Sequence, residues 1–65
     1  SRLISDFLRT LRETERTLFV RRYWYYDSIQ QICERSGFSK SRVSVTLLRT
    51  RKKLAAYLKK EGYMT

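Results

Sequence analysis

Residues 29–46 read IQQICERSGFSKSRVSVT, and their spacing decides the fold. Two helices cross tightly only where the residue at the crossing is small, and Cys33 stands at that place. Gly37 follows, able to take the left-handed backbone that ends a helix and reverses the chain. Val43 then offers a branched apolar side chain pointing back at the first helix, and Phe38 plugs the turn. This order of small residue, glycine and branched residue is that of a helix-turn-helix. On spacing alone, an ordinary helical hairpin in a small bundle fits too. The charge of the second helix separates the two readings.

Outward from this stretch, the local signals are helical. Ser28 predicts an N-cap for the first helix of the pair, with Gln31 at the reciprocal capping-box position. Ser39 predicts the cap of the second, whose inward stripe is Val43, Leu47, Thr50, Leu54 and Leu58. That helix is expected to fray near Tyr57–Glu61, with Gly62 closing it. Upstream, Leu3, Ile4, Phe7, Leu8 and Leu11 recur at helical spacing and predict a first amphipathic helix. Another helix is expected from about Glu13 to Tyr25. Its acids Glu13 and Glu15 fall in the first turn and Arg21-Arg22 near the end, as the helix dipole prefers. Leu18, Phe19, Tyr23 and Trp24 are its expected inward side chains. The remaining aromatics of the run Tyr23–Tyr26 either cover the turn or form a partner patch, since four in a row cannot all face inward.

The expected architecture is all-α: a compact four-helix domain containing a helix-turn-helix, of the winged-helix-like DNA-binding class but without a wing. Sixty-five residues make one domain with a thin core. Proline is absent and glycine occurs only twice, which disfavours a strand-and-turn fold. The chain opens on Ser1 rather than Met, so residues 1–65 are expected to be one domain excised from a longer chain.

Charge points to the partner. The net charge is +9. Residues 1–39 carry seven basic and five acidic side chains, whereas residues 40–60 carry eight basic ones and no acid. A helix so one-sided in sign calls for an anionic partner, and DNA fits a basic second helix of a helix-turn-helix. The lack of histidine removes the commonest acid–base group and metal ligand, and one cysteine excludes an internal disulfide or a cysteine-cluster zinc site. There is no Gly-rich phosphate loop, and the carboxylates are scattered singly among basic residues. We therefore expect no enzyme and no cofactor or metal. No apolar run approaches a membrane span and no signal-peptide pattern is present, so no membrane partner and a cytoplasmic location are expected.

Three stretches taken together resemble a known family. Residues 18–24 (LFVRRYW), residues 28–39 (SIQQICERSGFS), and Val43 with residues 47–54 (LLRTRKKL) are similar to region four of bacterial RNA polymerase sigma factors. The likeness is to the sigma-70 family in its compact, extracytoplasmic-function form, and it covers roughly Phe7 to Tyr57. It implies a domain that binds the −35 element of promoter DNA and docks on the β-subunit flap of RNA polymerase core, with an anti-sigma factor as a further candidate partner. Arg12 stands where that family often has proline, Cys33 where it usually has alanine, and Ser44 and Thr46 where it commonly has basic residues. A helix-turn-helix output domain of a response regulator, which typically dimerises, is the nearest rival; a basic helical protein-interaction module is the rival from another class.

Roles follow from position. Lys40, Ser41, Ser44 and Val45 point mainly outward from the first turns of the basic helix, and are the candidate base contacts. Lys40 and Ser41 also take this role from the resemblance. Val45 is either a contact for a thymine methyl or a lone surface apolar residue. Arg42, Arg49, Arg51, Lys52 and Lys53 are the candidate phosphate contacts. Ser28, Ile29 and Gln30 join them, as the helix N-terminus that offers free backbone N–H groups. For the polymerase flap, the candidate groove is lined by Phe7, Leu11, Leu18 and Phe19 and edged by Trp24; the alternative is that these residues simply pack on one another. Cys33 is expected to be a buried small hydrophobe.

Overall fold

In the computed structural model, which describes residues 2–62, the chain forms α1 (Arg2–Arg9), α2 (Glu13–Tyr23), α3 (Ile29–Ser36) and α4 (Lys40–Lys60). No strand occurs among the described residues. At about 1.5 Å per residue, α4 is a rod of about 32 Å. It runs along a molecule whose longest dimension is 36 Å.

The caps form where the sequence sets them. The Ser28 hydroxyl accepts from the Gln31 N–H (3.1 Å), and the Gln31 side-chain oxygen accepts from the Ser28 N–H (2.7 Å), closing the capping box. Gly37 takes φ 77° and gives its N–H to the Cys33 carbonyl, ending α3. Ser39 accepts from the Arg42 N–H (3.1 Å) and starts α4. Leu18, Ile32, Val43 and Leu47 then form the core, with Ile29, Cys33 and Phe38 packed against it. Cys33 is thus half-buried at the α3–α4 crossing. Thr50 lies within the same inward stripe, its hydroxyl donating to the Thr46 carbonyl (2.8 Å), so the buried oxygen is satisfied. The far end of α4 stays helical through Lys60 instead of fraying from Tyr57. Tyr57 packs on Phe7 with ring centroids 5.4 Å apart, which holds that last stretch.

Two expectations change at the end of α2. The helix stops at Tyr23, and Trp24 and Tyr23 are not core residues: Trp24 is 71 % exposed, and Tyr23 only rests its ring on Phe19. The reason is the turn that follows. Tyr26 takes φ 61°, a left-handed conformation uncommon outside glycine. Asp27 anchors this turn from inside. Its N–H donates to the Arg21 carbonyl (3.0 Å), its own carbonyl accepts from the Arg22 guanidinium (3.0 Å), and its buried carboxylate pairs with Arg35 of α3 (3.5 Å). That ion pair is too long to be a hydrogen bond and leaves Oδ2 without one. The chain therefore turns away from the core before Trp24 can enter it.

Candidate nucleic-acid interface

The outward face of α4 is built by the inward one. With Val43, Leu47 and Thr50 committed to the core, a rotation of about 100° per residue carries Ser41, Arg42, Val45, Arg49 and Lys53 to the opposite side. There they meet the start of α2, and together with Arg12, Thr14, Glu15 and Thr46 they line an open groove of about 750 Å³. Four cations face it against one carboxylate, Glu15. Arg42 is further held by Phe38: its guanidinium lies over that ring, 3.8 Å from the centroid. The residue that plugs the turn thus also aims a cation along the face.

Lys40 lies on the flank of α4 nearer α3, sharing a small cleft with Ile29, Gln30 and Cys33. The α3 N-terminus and the first residue of α4 are therefore neighbours, with Ser28 exposed at the cap. Ser44 and Lys52 are exposed on α4 and line neither cleft.

Two of the candidate phosphate cations are already engaged. Arg51 is not brought to the groove. It stands about 200° round the helix from Arg49, and donates to the Tyr23 hydroxyl at 2.6 Å. Lys53 is in the groove but its ammonium sits 2.6 Å from Glu15. That hydrogen bond from Lys53, with the N–H of Arg12 also donating to the carboxylate (3.3 Å), holds the Glu15 carboxyl below its ordinary pKa. Arg12, Thr14 and Glu15 did not figure among the sequence candidates for this face. They are 26 or more residues from their α4 neighbours, and the one signal was Arg12 standing where the family often has proline.

The candidate flap groove also needs correction. Phe7, Leu11 and Leu18 are 1, 6 and 2 % exposed, and none of them lines the apolar groove at this side of the molecule. Phe7 of α1 meets Phe19 edge-on at 6.1 Å and Tyr57 at 5.4 Å, which fills that space. An apolar groove of about 330 Å³ does open beside them. Phe19 and Trp24 line it together with Ile4, Leu8, Val20, Tyr23 and Leu54, with Arg51 on its rim.

Among the described residues no cluster of three His, Cys, Asp or Glu could hold a metal ion, and no helix is long and apolar enough to cross a membrane. A helix-turn-helix whose second helix presents a cationic groove defines a DNA-binding domain. The family model for sigma-70 region 4 matches residues 1–54. The chain belongs to that family, a promoter-DNA-binding part of sigma factors that works with RNA polymerase core. No curated protein and no solved structure matches it significantly.

Proposed function

We propose that this domain reads the −35 element of promoter DNA through the amino-terminal half of α4, as part of a cytoplasmic sigma factor of the extracytoplasmic-function type. The observation that carries the reading is the cationic groove between α2 and α4. It is lined by Ser41 and Val45 as well as by Arg42, Arg49 and Arg12, so that groups able to meet base edges share one face with groups that hold phosphates. Lys40 and Ser44 complete the base-reading set, and Lys52 and the N-terminus of α3 at Ser28, Ile29 and Gln30 add backbone contacts. The domain acts by binding alone, without catalysis. Competition for the chain between a −35 duplex and a scrambled duplex of equal length tests this. The reading expects clear preference for the promoter sequence, and equal competition would contradict it.

The apolar groove is the proposed seat of the polymerase β flap, held in helix-in-groove fashion. Its support is that it lies away from the cationic face, so DNA and polymerase would be bound together. An anti-sigma factor fits the same scheme as a competitor for either face. Titrating a β-flap fragment into isotope-labelled chain should shift Ile4, Leu8, Val20, Trp24 and Leu54. Shifts confined to residues 40–53 would sink this assignment and leave DNA binding untouched.

A further inference from the structure

We infer that Glu15 is an affinity-setting residue: in the free domain its carboxylate occupies Lys53 and keeps that cation from counting as a phosphate contact. The inference rests on the DNA-binding reading above and concerns the same groove. It starts from position. Glu15 is the one carboxylate among the nine residues lining the groove, and Arg12, Arg42 and Arg49 stand around the same space.

The geometry makes the carboxylate a good competitor. It meets the Lys53 ammonium at 2.6 Å, the short range of a charge-assisted hydrogen bond. Its other oxygen accepts from the Arg12 N–H at the start of α2 (3.3 Å), so the acid is tethered at both oxygens. Its side chain is only 16 % exposed, whereas that of Lys53 is 53 % exposed. The carboxylate is thus the enclosed partner and the lysine the exposed one, with solvent-side room to turn its ammonium to a phosphate.

The α2 N-terminus supplies a second reason for the carboxylate to remain. A negative side chain in a helix's first turn is favoured by the dipole, so Glu15 keeps its place whether or not Lys53 leaves. DNA must then either forgo Lys53 or take it while a bare carboxylate stays in the groove beside the phosphates. Either course costs affinity relative to a chain with a neutral residue at position 15. The Lys53–Glu15 pair joins two helices and looks like a structural staple, but an ion pair with one half-exposed partner contributes little to stability. Its larger consequence falls on the anionic ligand.

Glu15→Gln tests this, because glutamine can still accept from the Arg12 N–H and keep the start of α2. Binding of a fluorescent −35 duplex is followed by anisotropy from about 0.05 to 0.5 M salt for wild type, Glu15→Gln, Lys53→Met and the double variant, with urea midpoints measured in parallel. One more counterion-releasing contact steepens the log–log slope by about 0.9. The Glu15→Gln chain should therefore bind about eightfold tighter near 0.1 M salt. Adding Lys53→Met should abolish that gain in slope. A Glu15→Gln chain that folds normally but binds no tighter, or no more steeply with salt, overturns the inference while the wild-type curve still supports DNA binding. Gain that persists in the double variant also overturns it, since Lys53 would then not be the residue released. If the wild type itself shows no binding, the DNA-binding reading falls and this inference with it.

Discussion

Arg49 and Arg51 are two residues apart, yet a helix turns them to nearly opposite sides. Arg49 lines the cationic groove and Arg51 donates to the Tyr23 hydroxyl. Replacing Arg49 with alanine should weaken binding to all duplexes about equally and flatten the salt slope by about 1. Arg51→Ala should leave the slope unchanged. Lys40→Ala or Ser41→Ala should instead alter which sequence is preferred, each base contact being worth about 1–3 kcal/mol. Anisotropy on a panel of single-base variants of the duplex separates the two behaviours. Glu15 adds an acid-side effect. Its carboxyl titrates below the ordinary 4.5 in the folded chain because Lys53 and the Arg12 N–H hold the ionised form. Its stabilising contribution is therefore complete above that ordinary value and is lost as pH falls through the lowered one. Urea midpoints between pH 6 and pH 3 should fall less for Glu15→Gln than for wild type.

At the scale of elements, α3, its turn and α4 form the unit that presents the reading face, and two residues decide its geometry. Leu47 is nearly fully buried between helices, so Leu47→Ala should cost about 2–5 kcal/mol. That is much of what a domain this small possesses. Gly37 has open space around it, so a methyl group there meets no atom and only the positive φ opposes it. Gly37→Ala should cost about 1–2 kcal/mol, and Gly37→Asn should recover part of it, since asparagine also ends helices in this conformation. Chemical denaturation measures both. These elements were legible because their signals are local: Ser28 with Gln31, Gly37 with Cys33, and Ser39 with Arg42 each act within four residues. The end of α2 was not legible. Composition makes Trp24 a core residue, but the left-handed Tyr26 and the anchored Asp27 turn it outward. That turn depends on Arg35, which belongs to another helix.

The whole molecule presents two separate faces, one cationic along α4 and α2 and one apolar between α1, α2 and α4. The sign of the first was readable from residues 40–60, which lack any acid. Its walls were not, because Arg12 and Glu15 come to it from the far side of the chain, and no periodicity within α4 points at them. Of the residues expected to line an apolar face, Phe19 and Trp24 line the apolar groove, whereas Phe7 packs on Phe19 and Tyr57 and Leu18 belongs to the α2–α3–α4 core; Ile4, Leu8 and Leu54 line the groove in their place. With Lys53 held by Glu15 and Arg51 turned to Tyr23, the cations counted as phosphate contacts for this face are Arg12, Arg42, Arg49 and Lys52. The most direct test of a duplex held by this face is the salt dependence of its binding to a −35 duplex, read by fluorescence anisotropy. Four contacts at about 0.9 counterions each predict a log–log slope near −4. A flat response, or no binding at low salt, would contradict the account.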